Sequence, residues 1–164
     1  MSGQIILYAV LLFPLILGVI FRVSTSHLFF SLMAGELLAR YFGHDLDKLA
    51  VQNTGQSTAF PAGELALIIV PMILTAIFLR ATVSKSKLVL HIIPLAITGI
   101  VLAAFVLPIL PADTQALIAT SRAGAYLLDL NRVIIGSVVV MQLISLWLFS
   151  RMGKKHGKHG KHSE

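Results

Sequence analysis

Long apolar segments alternate with short polar ones along this chain. About 20 apolar residues are needed for a helix to cross the hydrocarbon layer of a membrane. The pattern therefore predicts an all-α polytopic membrane protein, a bundle of transmembrane helices. Four segments without Asp, Glu, Lys or Arg are the predicted spans: residues 5–21, 65–79, 88–110 and 133–149.

A fifth segment, residues 28–42, is apolar at first and then contains Glu36 and Arg40. It has no uninterrupted apolar stretch of 18 residues, so its length alone does not decide whether it spans the membrane. We expect a bundle of five spans. The alternative is four spans plus a helix that lies in the membrane interface.

The Lys and Arg residues predict the orientation, because they collect in cytoplasmic loops. They cluster in the link 80–87 and in the C-terminal tail from Arg151 to Lys161. With both regions inside, residues 43–63 and 111–132 lie outside. The five-span arrangement then places the N-terminus outside and more basic residues inside than the four-span arrangement does. We expect an integral protein of the cytoplasmic (plasma) membrane with a cytoplasmic C-terminus.

The composition agrees with a membrane protein and excludes several kinds of site. Hydrophobic residues make up 57% of the chain and charged residues 12%, whereas soluble domains carry about 25% charged residues. The chain has no cysteine, which excludes disulfides, thiolate metal sites and covalently attached haem. We expect one domain, a transmembrane bundle over residues 1–152, followed by a disordered basic tail over residues 153–164.

Two connecting regions are predicted between the spans. Residues 43–63 are expected to form a polar loop, because their second half is rich in Asn, Gln, Ser, Thr and Gly. Residues 111–132 are expected to form a helix on the outer surface, with Asp113 or Thr114 as its N-cap. Gln115, Arg122 and Asp129 recur at intervals of seven and would share one face of that helix.

Glu36 and Arg40 are the first candidate functional residues. Ionisable groups inside a membrane cost ~2.5–3.5 kcal/mol each on insertion scales, so they need a partner. The two residues are four apart with the acid first, which suits an ion pair on one helix face, and His44 and Asp47 continue that face. We favour a structural pair close to the outer interface. The alternative is a path for protons or ions.

A second polar group lies just before the last predicted span. Asp129 and Arg132 are three residues apart, and Arg122 is close to them in sequence. Such pairs at a helix end are usually surface ion pairs that contribute a fraction of a kcal/mol. An anion-binding role is the alternative.

The histidines are weak candidates for metal binding. His27 and His91 fall at the inner ends of two predicted helices, where they could ligate a b-type haem, although boundary residues are the favoured interpretation. His156, His159 and His162 repeat in the tail and could bind a metal ion. We expect instead that the tail adheres to anionic lipid headgroups. No cofactor and no metal site are predicted.

The sequence lacks the motifs of common enzymes. Gly-x-Ser-x-Gly, His-Glu-x-x-His and a phosphate-binding Gly-rich loop are all missing from it. We expect a non-enzymatic accessory or scaffolding protein whose partners are the lipid bilayer and other membrane helices, from other proteins or a second copy, and not nucleic acid. The alternatives are a small transporter or channel component, in which Glu36, Arg40, Asp129 and Arg132 line a cavity, and a membrane-embedded redox or lipid enzyme.

Overall fold

The computed structural model describes residues 3–54, 61–84, 88–129, 136–141 and 143–144. All regular secondary structure in these residues is helical, which confirms the all-α prediction. Residues 136–141 and 143–144 are helical as well. The other helices are α1 (Gly3–Phe21), α2 (Thr25–Thr54), α3 (Ala62–Phe78), α4 (Leu88–Val106), a 3₁₀ turn (Leu107–Ile109), α5 (Ala112–Ala119) and α6 (Arg122–Asp129).

Two of the described helical segments are long and apolar enough to cross a membrane. These are α1 and His91–Ile109, each of 19 residues. A helix of that length extends over about 28 Å, close to the thickness of the hydrocarbon layer, about 30 Å. The apolar helix α3 is slightly shorter, with 17 residues. Helix α2 has 30 residues, and most of its charged residues lie in its second half.

Glycines bring the helices into close antiparallel pairs. Helix α1 packs along α4, where a Cβ atom on Gly99 would collide with the backbone carbonyl oxygen of Leu11. Helix α2 packs along α3, where a Cβ atom on Gly35 would lie 2.8 Å from the carbonyl oxygen of Leu67. Small residues allow membrane helices to approach closely in this way. Between the two pairs lies an apolar core, whose largest fully buried side chains include Leu7, Phe29, Leu32, Ile68, Met72, Leu95 and Leu102.

The two connections at one end of the bundle are joined by backbone hydrogen bonds. The N–H of Ala81 donates to the carbonyl of Phe21 (2.8 Å), and the N–H of Val83 donates to that of Arg22 (2.9 Å). We call this the basic end, defined by residues 22–27 and 79–84. The opposite end holds α5, since the backbone of Leu117 lies 2.5 Å from where a Cβ atom on Gly3 would be.

Arg22 and Ala81 have left-handed backbone conformations, with φ of 52° and 65°. This region costs an L-residue about 1–2 kcal/mol, whereas glycine adopts it freely. The joining hydrogen bonds hold both residues there. The two strained residues therefore lie where the two turns contact each other.

Ala81→Gly is expected to stabilise the protein by about 0.5 kcal/mol. Relief of the left-handed strain outweighs the added entropy of the unfolded chain, about 0.4–1 kcal/mol. Ala66→Gly is the matched control, because Ala66 is exposed in the middle of α3, where glycine costs about 1 kcal/mol. Denaturant titration of both variants measures the difference. Equal destabilisation by the two changes would contradict the strained conformation of Ala81.

The prediction of a polar loop over residues 43–63 is wrong for most of its length. Helix α2 continues through Gly43 to Thr54, and α3 begins at Ala62, while residues 55–60 lie outside the described residues. Gly43 is helical because it packs directly against the side chain of Glu64 on α3. Tertiary packing thus overrides the low helix propensity of glycine.

The predicted outer helix over residues 111–132 is also corrected. It is interrupted at Thr120 and Ser121, so Gln115 and Arg122 belong to different helices, α5 and α6. The N-cap of α5 is Pro111, not Asp113 or Thr114. The Ser121 hydroxyl accepts a hydrogen bond from the N–H of Gly124 (3.0 Å) and so caps α6. Local capping by Ser121 favours a new helix start over continuation.

Candidate functional site: the polar face of α2

Glu36 and Arg40 form an ion pair on α2. The Nε atom of Arg40 lies 2.7 Å from Oε1 of Glu36, one helical turn away. The two side chains differ in exposure, with 13% of the Glu36 side chain and 68% of the Arg40 side chain accessible. Glu36 is eleven residues from the start of α2, or about 16 Å along the helix axis. Its carboxylate is therefore held at mid-height of the bundle by a partner that reaches the surface.

Further along the same face, Asp47 binds the start of α3. Its Oδ1 accepts a hydrogen bond from the N–H of Gly63 (2.8 Å), because antiparallel packing brings the two residues together. A carboxylate at a helix N-terminus satisfies a free N–H group and interacts favourably with the helix dipole. Asp45 and Lys48, in contrast, form a loose pair of 3.9 Å in which both side chains are exposed. Asp47 is thus a structural residue at the α2–α3 contact.

Asp47→Ala is expected to destabilise the protein by about 1 kcal/mol, the usual cost of a lost N-cap interaction. Asp47→Asn should retain most of the stability, since its amide oxygen can accept the same hydrogen bond. Asp45→Ala is the matched control and should change the free energy of unfolding by under about 0.5 kcal/mol, because its ion pair is exposed. Thermal unfolding in detergent measures all three. Similar losses for Asp45→Ala and Asp47→Ala would rule out the capping role.

An open concavity of about 400 Å³ lies beside this contact and is lined by His44, Asp47, Lys48 and Gln52. Among the described residues, no group of three or more His, Cys, Asp or Glu side chains could hold a metal ion. Since Asp47 is already bonded to α3, the described residues form no assembled metal site in this concavity.

His27 and His91 have separate environments. The Nδ1 atom of His91 shares a hydrogen bond with the hydroxyl of Thr25, at 3.2 Å. The side chain of His27, two residues further along α2, is exposed. Thr25 is a buried polar residue that the sequence did not single out, and its role depends on the packing of α2 beside α4.

The remaining candidate residues from the sequence do not lie on α2. Arg122 is exposed at the start of α6. The side chain of Asp129, the whole of Arg132 and the tail histidines His156, His159 and His162 lie outside the described residues. The structure therefore brings Glu36 together with Arg40, and it does not bring Arg122 to that pair.

A second concavity, of about 190 Å³, lies between α1, α3 and α4. The described residues that line it all have apolar side chains and include Ala9, Phe13, Ile69 and Leu102. None of these described side chains is a titratable or nucleophilic group of the kind that acid–base or nucleophilic catalysis uses.

No family model matches this chain, and no curated protein or solved structure matches it either. Buried polar side chains within the described residues are those of Thr25 and Thr98, and each makes a hydrogen bond. The hydroxyl of Thr98 donates to the carbonyl of Pro94 (3.0 Å) in its own helix. The charged groups of α2 interact in pairs or cap a neighbouring helix, which is a structural pattern.

Proposed function

We propose that this protein is a multi-pass integral membrane protein that acts as a non-enzymatic accessory or scaffolding component. The observation that carries this proposal is the apolar outer surface of the bundle. Helix α1 alone exposes a stripe at intervals of three or four residues: Ile5, Tyr8, Leu12, Ile16 and Ile20. Exposed apolar area of this extent is typical of surfaces that face lipid or other membrane helices.

The packing of α1 supports a retained membrane helix over the two other kinds of apolar segment. Only 22% of the apolar stretch of α1 is buried, whereas the core helix of a soluble protein is mostly buried. It also contacts α4 closely at Leu11 and Gly18, a contact that a cleaved signal sequence would not need. Both observations favour a helix that stays in the membrane.

The proposed topology has five spans: α1, the first half of α2, α3, α4 with its 3₁₀ turn, and the segment 133–149. Helix α2 pairs with α3 from its N-terminal half to Asp47, so its apolar half lies within the same layer as α3. The N-terminus would then be outside and the C-terminus cytoplasmic. This arrangement places Arg22, Arg80 and the tail on the cytoplasmic side, as the distribution of basic residues favours.

The apolar interior favours scaffolding over transport by a single copy. A transport path needs polar groups that line a connected interior space. The described interior contains Thr25 and Thr98 as its buried polar side chains, and they lie on different helices. The outward apolar faces are the surfaces at which partner helices would bind.

Photo-crosslinking in native membranes tests the proposal. A photoreactive side chain at Ile16, Val70 or Ile93 points outward from α1, α3 or α4, whereas one at Leu17 is buried. We expect at least one outward position to give a discrete adduct with a membrane protein or a second copy, and Leu17 to give none. Adducts with lipid alone at all three outward positions would reject the scaffolding role.

The transporter alternative is favoured by one observation, the mostly buried carboxylate of Glu36 at mid-height of α2. An oligomer could enclose this face. Proton and ion flux into proteoliposomes distinguishes the two functions. The scaffolding proposal expects no flux above that of empty liposomes. A flux that Glu36→Gln abolishes, without lowering the yield of folded protein, would establish the transporter instead.

A further inference from the structure

The charges of the bundle are segregated along its axis. Residues 1–35 and 65–112 contain no Asp or Glu, and these ranges include both connections of the basic end. Arg22, His27 and Arg80 lie in those connections. The carboxylates of the chain before the tail are found elsewhere: Glu36, Asp45, Asp47, Glu64, Asp113 and Asp129. The basic end is therefore a cationic surface without a neutralising carboxylate in its own segments.

The backbone fixes where these cations lie. Arg22 is held in its left-handed conformation by the hydrogen bond from the N–H of Val83 to its carbonyl. The N–H of Ser24 donates to the hydroxyl of Thr82 (3.1 Å), which adds a third link between the two turns. Arg22 and Arg80 consequently belong to one hydrogen-bonded double turn.

Each arginine is two residues along the chain from an exposed apolar side chain. Ile20, two residues before Arg22, is 67% exposed, and Phe78, two residues before Arg80, is 78% exposed. A soluble anion would use the guanidinium groups and leave these apolar surfaces in water. A phospholipid would place its phosphate on the arginines and its acyl chains on the apolar side chains.

We propose that the basic end, through Arg22 and Arg80 of the double turn, binds the headgroup of an anionic phospholipid. Guanidinium groups donate paired hydrogen bonds to phosphate oxygens, which favours Arg over a simple point charge. This inference depends on the proposed membrane placement. It goes beyond the tail, because it assigns a lipid site to the folded bundle.

The test uses the absence of cysteine to place one fluorophore on the full-length protein. Ser84→Cys puts the fluorophore at the basic end, and Ala119→Cys puts it on α5 at the opposite end. The proteins are reconstituted into vesicles that contain spin-labelled phosphatidylglycerol or spin-labelled phosphatidylcholine. We expect stronger quenching by phosphatidylglycerol at Ser84→Cys, and no such preference at Ala119→Cys.

Neutralising the arginines should reduce the preference to the part that the tail contributes. A basic residue near the surface contributes ~1 kcal/mol, so Arg80→Gln should reduce the preference about fivefold. Arg22→Gly tests the second cation without strain, since glycine tolerates its φ. Lys48→Gln, on the exposed part of α2 remote from the basic end, is the matched control and should leave the preference intact. The tail is present in every variant and contributes equally.

Three results would overturn the inference. The first is equal quenching by the two lipids at Ser84→Cys. The second is a preference that Arg80→Gln combined with Arg22→Gly leaves undiminished, which would assign the whole preference to the tail. The third is loss of the preference in millimolar inorganic phosphate but not in sodium chloride of matched ionic strength, which would identify a soluble phosphate as the ligand. Failure of the protein to enter vesicles would instead reject the proposed membrane placement, so the two failures are distinguishable.

Discussion

Gly99→Ala is expected to destabilise the protein by about 3 kcal/mol, near the upper end of the usual cost of overpacking a core. The added Cβ atom would collide with the backbone carbonyl oxygen of Leu11, and backbone cannot move aside as a flexible side chain can. Helices α1 and α4 would have to separate along their whole contact. The free energy of unfolding, from denaturant titration in detergent micelles, measures the effect.

Gly136→Ala is the matched control for this prediction. Gly136 is also helical, but among the described residues a Cβ atom there would meet nothing within 4 Å apart from its chain neighbours and its own helix backbone. Alanine favours a helix over glycine by about 1 kcal/mol, so this variant should be as stable as the natural protein or slightly more stable. If Gly99→Ala were equally harmless, the close α1–α4 contact would be wrong.

Arg40→Gln is expected to destabilise the protein by about 2–3 kcal/mol, more than Glu36→Gln does. The reason is the unequal burial of the pair, since the Glu36 side chain is 13% exposed and the Arg40 side chain 68% exposed. Loss of Arg40 leaves a mostly buried carboxylate without its cation, which is the costly state. Loss of Glu36 leaves an arginine whose side chain is already mostly exposed and can extend its charged group away from the bundle. The double variant should therefore be more stable than Arg40→Gln alone.

A double-mutant cycle of unfolding free energies measures this asymmetry. Lys48→Gln provides the control, because the Asp45–Lys48 pair is exposed at both partners and should contribute under about 0.5 kcal/mol. If Arg40→Gln and Glu36→Gln had equal effects and the cycle showed no coupling, the pair would not stabilise the bundle.

The fold can be predicted from the sequence where apolar runs are long. The runs at residues 5–21, 65–79 and 88–110 match α1, α3 and α4 to within a few residues, because a helix satisfies its own backbone where water is absent. The end of α2 cannot be predicted in this way. Its continuation past Gly43 depends on contacts with Glu64 and Gly63, which are distant in sequence.

The candidate site likewise has one part that the sequence predicts and another part that it does not. The ion pair of Glu36 and Arg40 follows from a spacing of four residues, which is a local property of one helix. The roles of Asp47 and Thr25 do not, since Asp47 caps α3 and Thr25 bonds to His91 on α4 only after the helices have packed. Sequence patterns can reveal contacts within one helix. Contacts between two helices can be predicted only when the alignment of one helix along the other is known.

We propose that the bundle crosses the membrane with its two ends on opposite sides. Ser84 lies at the basic end, and Ala119 lies on α5 at the other end of α1. Because the chain has no cysteine, Ser84→Cys and Ala119→Cys can each be labelled with a membrane-impermeant thiol reagent on intact cells. We predict labelling of Ala119→Cys alone on intact cells, and labelling of both variants after the membrane is permeabilised. Labelling of Ser84→Cys on intact cells, or of both variants to the same extent before permeabilisation, would contradict this account.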